Sequence, residues 1–235
     1  MPATPVIAID GPSASGKSTT AAAVARALGF LHLDSGALYR GLTAVALDLP
    51  PGDRGAGTIV RSAEARGLVL REAGGALVPF LDGRDAEPRI RSPEVTALVS
   101  DVSALAPVRA WVNARLARAA AHGGGRPLVI DGRDIGTAVF PDSAVKVFLT
   151  ASPEVRAQRR LRQRTGRADP GDVAREAALL AERDLRDSTR AVAPLRRADD
   201  AVVFDTSALG FEAQVGGIVA LVRGRLPHLA GPDKF

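Results

Sequence analysis

The 235-residue chain contains no cysteine and carries a net charge of +5, and 28 of its 31 basic residues are arginine. The absence of cysteine excludes disulfides and thiol chemistry, and no apolar run approaches the roughly 18 residues that a membrane span needs. The amino terminus lacks a charged region followed by an apolar one, so we expect no signal peptide and a cytoplasmic protein. With one Trp, one Tyr and no basic block interleaved with aromatics, we expect small acidic ligands rather than nucleic acid.

The first predicted strand covers residues 6–10 and leads directly into Gly11-Pro12-Ser13-Ala14-Ser15-Gly16-Lys17-Ser18. This segment matches G-x-x-x-x-G-K-[ST] at every fixed position, and it lies between a strand and a helix as the pattern requires. The glycines allow a sharp turn in which backbone N–H groups point at an anion, and the helix that follows adds its positive end. The segment is therefore predicted to bind a nucleoside triphosphate, with Lys17 at the outer phosphates and the Ser18 hydroxyl near Mg²⁺.

Short apolar strands and helices then alternate along the chain. After the first strand, further strands are predicted at residues 30–33, 128–131, 145–149 and 202–205. Helices are predicted at residues 19–28, 37–47, 58–66, 93–103, 108–122 and 212–225, with a long arginine-rich helical stretch from about residue 153. This alternation predicts an α/β fold with a five-stranded parallel sheet and helices on both faces.

The character of the sequence changes between residues 67 and 88. Two apolar runs flank Gly74-Gly75, and Asp82-Gly83 is a second turn signal, so we predict a small antiparallel sheet inserted into the alternating chain. The tetrapeptide Asp-Gly-Arg-Asp occurs here at residues 82–85 and again at 131–134. We interpret the first copy as a turn and the second, which follows a buried strand, as functional.

Three predicted strands end in Asp10, Asp34 and Asp131. In a parallel sheet these ends lie at one edge, where such folds bind ligands. The apolar strand before Asp131 is typical of a strand whose terminal carboxylate holds Mg²⁺, directly or through water. Ser18 and Asp131 are therefore the predicted metal residues.

The carboxyl-terminal third is rich in arginine. Arg183, Asp187 and Arg190 fall on one face of a predicted helix. The alternative interpretation of this segment is a solvated helix whose charges form i,i+3 and i,i+4 ion pairs. Six further arginines lie between residues 156 and 167, beside turn-forming residues. A mobile arginine-rich flap of this kind suits phosphoryl transfer, because its charges stabilise the transferred group and its closure excludes water.

Taken together, four segments resemble the bacterial cytidylate kinases. They are Ile7-Ala8-Ile9-Asp10-Gly11-Pro12-Ser13 continuing to Gly16-Lys17-Ser18-Thr19, Leu33-Asp34-Ser35-Gly36-Ala37-Leu38-Tyr39-Arg40, Asp131-Gly132-Arg133-Asp134-Ile135-Gly136-Thr137, and the stretch from Arg183 to Arg190 with Pro194-Leu195. The resemblance implies a P-loop kinase fold and transfer of the ATP γ-phosphate to CMP, and to dCMP, with Mg²⁺. It also identifies the small antiparallel sheet as the family's insert that binds the nucleoside monophosphate.

The resemblance assigns roles to individual residues. ATP is held by Gly11, Pro12, Ser13, Ala14, Ser15, Gly16, Lys17, Ser18 and Thr19. CMP is bound by Ser35, Tyr39, Arg40, Ser100, Arg109, Arg133, Asp134, Arg183, Asp187 and Arg190. Within that set, Arg40 and Arg133 hold the phosphate, Ser100, Arg109 and Asp134 contact the cytosine, and Asp187 with Arg183 and Tyr39 contacts the ribose. Ser103 is the alternative to Ser100. The residues expected to stabilise the transferred group are Lys17, Arg133, Arg159, Arg160 and Arg186.

The predicted organisation is a single domain over residues 1–227 with a tail at 228–235. Its core comprises about residues 1–40, 93–155 and 175–227, its insert about 41–92 and its lid about 156–174. We expect a monomer. The alternatives are another small-molecule P-loop kinase, acting on UMP, shikimate or gluconate, and a non-enzymatic protein that binds a nucleotide or RNA.

Overall fold

The computed structural model describes residues 4–122 and 125–229. The strands are β1 Val6–Asp10, β2 Leu31–Asp34, β3 Val69–Ala73, β4 Ala76–Leu81, β5 Arg84–Asp85, β6 Leu128–Gly132, β7 Val145–Thr150 and β8 Val202–Asp205. The helices are α1 Lys17–Leu28, α2 Ser35–Asp48, α3 Ala56–Ala65, α4 Glu87–Ile90, α5 Pro93–Ala104, α6 Ala106–His122, α7 Pro153–Thr165, α8 Pro170–Thr189 and α9 Phe211–Arg225. Single helical turns occur at Pro51–Asp53 and Ile135–Val139.

One sheet runs through the described part of the chain, in the order β3-β4-β2-β6-β1-β7-β8, with β5 paired to β4. The strands β2, β6, β1, β7 and β8 are mutually parallel, which confirms the predicted five-stranded core. Because these strands are parallel, their carboxyl ends lie at one edge of the sheet. Asp10, Asp34 and Asp131 are therefore brought to the same edge, as the sequence predicts.

Alternation along each central strand directs apolar side chains to both faces. Val6 and Ala8 of β1 pack on one face with Leu38 and Leu42 of α2. Ile7 of β1 packs on the opposite face, where α1 and α9 cover the sheet. A sheet buried on both faces explains why the central strands are nearly continuous apolar runs rather than alternating sequences.

The inserted antiparallel strands form as predicted, but they continue the main sheet instead of forming a separate one. β3 and β5 pair antiparallel with β4, and β4 pairs parallel with β2 through His32↔Ala76 and Leu33↔Leu77. The turn between β4 and β5 is made by Asp82 and Gly83, both at positive φ (52° and 74°), in keeping with a two-residue hairpin. The first Asp-Gly-Arg-Asp copy is therefore a turn, as predicted.

Helix boundaries differ from the predictions by a few residues. α6 begins at Ala106 rather than after Pro107, since proline is tolerated in the first turn of a helix, where its missing N–H has no partner to lose. The sequence analysis did not predict α4 or the two single turns. The glycines at 123 and 124, after the predicted helix 108–122, lie outside the described residues. So does the predicted 228–235 tail from residue 230 onward.

The arginine-rich stretch forms a helical hairpin of α7 and α8. These helices share a small apolar core of their own, formed by Ala157, Leu161, Val173 and Leu180. The separate core lets the hairpin pack as a unit, and Ala14 of the loop after β1 packs against it.

No single helix within residues 4–122 and 125–229 is long and apolar enough to cross a membrane. Two consecutive helices, Pro93–Ala104 and Ala106–Ala121, pass that test together by length and composition, but the chain bends by 96° between them.

Gly11→Ala should destabilise the fold, because a Cβ at this position would lie 2.0 Å from the carbonyl oxygen of Leu149 and Gly11 has a φ of 154°. Overpacking against backbone costs about 1–3 kcal/mol, and the unfavourable φ adds to this cost. The free energy of unfolding, measured with urea, should fall by at least about 2 kcal/mol.

Gly171→Ala is the matched control, because nothing lies within 4 Å of a Cβ there and φ is ordinary. Equal unfolding free energies for Gly11→Ala and the wild type would contradict the close approach to β7.

Candidate active site

A cavity of about 790 Å³ opens at the edge where the parallel strands end. It is lined by nine Lys and Arg side chains and by four Asp side chains, so it carries a surplus of positive charge. The predicted site residues that line it are Ser13, Ala14, Gly16, Lys17, Ser18, Thr19, Ser35, Tyr39, Arg40, Ser100, Arg109, Asp131, Arg133, Asp134, Arg159, Arg160, Arg183, Asp187 and Arg190. Such a cavity favours an anionic ligand that spans several arginines.

Three residues of the loop between β1 and α1, Gly11, Pro12 and Ser15, do not line the cavity. Ser15 is fully buried, and Gly11 lies against β7. These residues support the loop from its buried side, whereas Ser13, Ala14 and residues 16–19 line the cavity. Gly16 adopts a φ of 91° at the start of α1, a conformation that favours glycine.

Arg186 lies outside this cavity, contrary to the expectation that it contacts the transferred group. Its guanidinium pairs with Glu182 one helical turn away, at 3.1 Å, and about half of its side chain is exposed. The reason is helical periodicity: Arg183 and Asp187 lie four residues apart on one face of α8, and Arg190 follows as the C-cap residue of that helix. Arg186 lies about 100° away from Asp187 on that helix.

Lys17 is buried beneath the loop that it follows. Its Nζ donates to the carbonyl oxygen of Pro12 at 2.6 Å and to the Ser15 hydroxyl at 3.4 Å. Burial, reinforced by the nearby Arg133 guanidinium, lowers the pKa of Lys17 to about 7. An anionic phosphate placed here would oppose both effects and favour the charged ammonium group.

The Asp131 carboxylate is fixed by a donor at each oxygen. The Ser18 hydroxyl donates to Oδ2 at 2.6 Å, and His32 Nε2 donates to Oδ1 at 2.8 Å. Burial alone would lower the pKa of His32, but its hydrogen bond to Asp131 and the negative charge of that residue raise it instead. The sequence analysis did not identify His32 as a partner of Asp131.

Ser18 and Asp131 provide the oxygen ligands that Mg²⁺ prefers. In the described residues, no group of three or more His, Cys, Asp and Glu side chains could hold a metal ion by itself. The donor set therefore fits a Mg²⁺ ion that completes its coordination with nucleotide phosphates and water, and it does not fit a dedicated protein cage.

Asp10 holds the chain segment that carries the second Asp-Gly-Arg-Asp copy. Its carboxylate accepts hydrogen bonds from the backbone N–H groups of Ile135 at 2.9 Å and Gly136 at 2.7 Å. Burial raises the pKa of Asp10 to about 6, although these two hydrogen bonds act in the opposite direction. The carboxylate anchors the turn after β6 and so positions Arg133 and Asp134.

Asp134 forms the centre of a buried ionic cluster at one end of the cavity. Arg109 donates to its Oδ2, and Arg190 donates to Oδ1 at 3.2 Å. The Arg109 guanidinium also lies over the ring of Tyr39, 5.5 Å from its centroid. Burial raises the pKa of Asp134, while the two arginines oppose that shift.

The middle of the cavity contains basic groups with spare hydrogen-bonding capacity. Arg133 Nε pairs with Asp187 at 3.0 Å, and Arg40 donates to the Thr96 hydroxyl at 3.0 Å. The Nε of Arg183 is buried and, within the described part of the chain, has no hydrogen-bond partner. Burial, together with neighbouring arginines, lowers the pKa values of Arg40 and Arg183 to about 10. These groups would gain from a bound dianion.

Ser100 and Ser103, the two candidates for contact with the cytosine, both line the cavity. Ser103 donates its hydroxyl to the Ser100 carbonyl oxygen at 3.0 Å, within its own helix. Its carbonyl oxygen accepts from Arg109 at 3.3 Å. This engagement of the Ser103 hydroxyl favours Ser100 as the serine that meets a ligand.

The α7–α8 hairpin contributes arginines that differ in their partners. Arg159 donates to the hydroxyl and the carbonyl oxygen of Thr206, at 2.8 and 2.7 Å. Arg160 pairs with Glu176 at 2.8 Å. Both side chains reach the cavity, so closure of the hairpin over a ligand would bring positive charge toward it.

Several residues that line or support the cavity were not predicted. Arg91 of the insert pairs with Asp34 at 2.9 Å. The cavity is also lined by Leu209, Phe211 and Gln214. Asp184 contacts the loop before α1. Long-range contacts of this kind leave no periodic signal in the sequence, although Asp184 does stand next to Arg183 in the charged helix.

Comparison with known proteins agrees with this geometry. A family model described as cytidylate kinase matches residues 7–224. A cytidylate kinase of Paraburkholderia phymatum is 46% identical over 230 residues, covering 96% of each chain. A cytidylate kinase of Geobacillus is 42% identical over 220 residues, covering 94% of this chain and 97% of that one.

Longer proteins match as well. A bifunctional pantoate ligase/cytidylate kinase of Prochlorococcus marinus is 43% identical over 233 residues. The match covers 97% of this chain but only 45% of that protein. The chain therefore spans less than half the length of this relative and nearly all of the two preceding ones.

Asp10→Asn should change how stability depends on pH. Because the pKa of Asp10 is raised to about 6 in the folded protein, its contribution to stability is greatest below its unfolded value of about 3.9 and is lost as the pH rises through 6. Urea unfolding between pH 4 and 7 should show the wild type losing up to about 3 kcal/mol relative to the variant.

Asp200→Asn is the control with the opposite sign, since the hydrogen bond from Lys146 lowers the pKa of Asp200. A stability difference between the wild type and Asp10→Asn that is independent of pH would show that Asp10 does not titrate in this range.

Proposed function

The chain belongs to the cytidylate kinase family, and we propose that it transfers the γ-phosphate of ATP to CMP, giving ADP and CDP. The observation that carries this proposal is the set of residues that line one cavity. The glycine-rich loop with Lys17 lines one part of the cavity, called here the loop end, and the Asp134–Arg109–Arg190 cluster lines another, called here the base end. The first feature suits a nucleoside triphosphate, and the second suits a base with both donor and acceptor groups.

The donor nucleotide occupies the loop end. The backbone at Gly16 and the amino terminus of α1 would meet the phosphates, and Lys17 would leave the Pro12 carbonyl oxygen to contact the outer ones. Ser18 and Asp131 would hold Mg²⁺. When bound, this ion supplies positive charge at the β- and γ-phosphates.

The acceptor phosphate lies between the two ends. Arg40, Arg133 and Arg183 line the cavity there, and the buried Nε of Arg183 lacks a partner in the described structure. Arginine forks match the oxygens of a dianionic phosphate better than a lysine would. This grouping supports a monophosphate as the acceptor.

The base end favours cytosine. Cytosine presents an amino donor at N4 and acceptors at N3 and O2, so a carboxylate beside an arginine complements it. Asp134 would accept from N4, while Arg109 and Ser100 donate to the acceptors. Arg109 and Arg190 favour the ionised form of Asp134, which can only accept hydrogen bonds.

The ribose is assigned to Asp187 with Arg183 and Tyr39. Asp187 is buried and pairs with Arg133, so it is already held whether or not a 2′-hydroxyl is present. This supports dCMP as a second substrate.

The reaction requires positioning and charge rather than a general base. An oxygen of the CMP phosphate is already ionised and attacks the γ-phosphorus, and the bond to the β–γ bridging oxygen breaks as ADP leaves. Lys17, Arg133, Arg159 and Arg160 surround the path of the transferred group and stabilise its charge. Closure of the α7–α8 hairpin excludes water and so prevents hydrolysis of ATP.

We further propose that the protein is a cytoplasmic monomer that binds neither nucleic acid nor membranes. A coupled assay of ADP release with CMP, dCMP, UMP and AMP separates the candidates. Turnover restricted to CMP and dCMP supports the proposal. Preference for UMP would identify a different kinase, and ATP binding without acceptor-dependent ADP release would identify a non-enzymatic nucleotide-binding protein.

Lys17→Met should lower kcat by about 10²–10³, the range typical for loss of one preorganised charge at a transition state. The fold should persist, because methionine suits a buried position. Steady-state ADP release and thermal unfolding together check both expectations. Retention of more than about a tenth of the wild-type kcat would contradict the role of Lys17.

Asp134→Asn should narrow the preference for CMP over UMP. Uracil carries an O4 acceptor and an N3–H donor, so the wild-type pocket leaves buried polar groups unpaired at about 1–3 kcal/mol each. A carboxamide can turn its NH₂ toward O4. The ratio of kcat/KM values for CMP and UMP should therefore fall by about tenfold or more.

Asp187→Asn is the matched control for that experiment, because its side chain is assigned to the ribose, which both substrates share. It should lower kcat/KM for CMP and UMP equally. If Asp134→Asn behaves in the same way, Asp134 supports the site without contacting the base.

A further inference from the structure

All three polar groups of Ser13 are held by side chains from two helices and from the segment after β6. Its backbone N–H donates to Asp184 Oδ1 on α8 at 2.8 Å. Its carbonyl oxygen accepts from Arg156 Nη1 on α7 at 3.0 Å, and its hydroxyl accepts from Arg133 Nη2 at 2.9 Å. A loop residue in the middle of the phosphate-binding segment is thus fixed from outside the loop.

The residue that follows is in an unfavourable conformation. Ala14 has a φ of 58°, in the left-handed region, where a side chain is disfavoured. Such conformations persist only where the surroundings over-determine them. The contacts to Ser13 are the nearest constraint along the chain. They fix the N–H of the Pro12–Ser13 peptide group and the carbonyl of the Ser13–Ala14 peptide group.

Asp184 and Arg156 also form an ion pair with each other, Oδ2 to Nη1 at 2.5 Å. Arg156 donates in addition to the Ala151 carbonyl oxygen at 3.1 Å, and its side chain is only 8% exposed. The sequence analysis placed Arg156 in the mobile lid, whereas here it is an anchor. Neither residue is among the described residues that line the cavity, so neither is expected to touch a substrate.

We propose that Asp184 and Arg156 are a positioning pair that keeps the Ser13–Ala14 turn in its left-handed form for the donor nucleotide. The inference rests on the proposed function for its choice of ligand, ATP or ADP. It adds a role for two residues that make no contact with the reaction. The pair contacts Ser13 directly, whereas Arg133 of the acceptor site reaches Ser13 only through its hydroxyl and keeps its own ion pair with Asp187, so the acceptor site should depend on the pair less than the donor site does.

The proposal makes a specific claim about strain, which a compensating substitution can test. Asp184→Asn keeps an oxygen for the Ser13 N–H but loses the charge that pairs with Arg156. Ala14→Gly removes the side chain that disfavours a positive φ. If the pair serves to hold that conformation, the glycine should restore the loop when the pair is broken.

The experiment measures ADP affinity by calorimetry and the KM values for ATP and CMP in four proteins: wild type, Asp184→Asn, Ala14→Gly and the double variant. Asp184→Asn should weaken ADP binding and raise the KM for ATP by about tenfold, the effect of losing one charge-assisted hydrogen bond. The KM for CMP should rise clearly less than the KM for ATP, because Arg133 keeps its ion pair with Asp187 when Ser13 shifts. The double variant should recover ADP affinity to within about threefold of Ala14→Gly.

Asp172→Asn is the control on the same helix, since its ion pair with Arg175 is exposed. Arg156→Lys provides a second route if Asp184→Asn does not fold, because a lysine keeps the charge but cannot serve Asp184, Ser13 and Ala151 together. It should show the same selective loss of ADP affinity and the same recovery with Ala14→Gly.

The proposal would be overturned if Asp184→Asn and Ala14→Gly acted additively on ADP affinity. It would also be overturned if Asp184→Asn raised the KM values for ATP and CMP equally. An Asp172→Asn variant that loses as much ADP affinity as Asp184→Asn would overturn it as well. Because ADP affinity and its recovery are measured without CMP, they test the positioning pair even if CMP is not the acceptor. Normal CMP turnover without recovery would reject the positioning pair and leave the proposed function intact.

Discussion

Nine basic side chains face four carboxylates around one cavity, and the fold must hold this surplus of positive charge before any anion binds. Burial and mutual repulsion lower the pKa values of Lys17, Arg40 and Arg183. The carboxylates that balance part of this positive charge lie at or after the ends of β-strands and on α8. Asp134, which follows β6, and Asp187, on α8, each pair with an arginine. The remaining surplus is the electrostatic basis for the proposed binding of two phosphorylated nucleotides.

A second constraint acts on the backbone of the loop between β1 and α1. Gly11 lies so close to the Leu149 carbonyl oxygen that no Cβ fits, and Ala14 adopts a left-handed conformation. The sheet supports the loop from below at Gly11, and the α7–α8 hairpin holds it from the side at Ser13. A loop fixed from two directions can present its N–H groups to phosphates without first having to order itself.

Helix α8 links the two ends of the site through its periodicity. One face carries Arg183 and Asp187 into the cavity, and Arg190 follows at the C-cap, while Asp184 contacts the loop between β1 and α1. Arg186 lies on the solvent side. We therefore expect movement of the hairpin that contains this helix to affect both parts of the site, which suits the proposed transfer reaction because water must be excluded when both substrates are bound.

The sequence by itself determined the five parallel strands of the core, most of the helices, the glycine-rich loop after β1 and the carboxylates at the strand ends. These features depend on local patterns: an apolar run, a fixed glycine spacing, or a charged residue directly after a strand. Only the tertiary structure decided that β4 joins β2, that His32 contacts Asp131, that Arg186 misses the cavity, and that Asp184 and Arg156 hold Ser13. Each of these depends on the rotation of a helix or on residues far apart in the chain, and hydrophobic periodicity specifies neither.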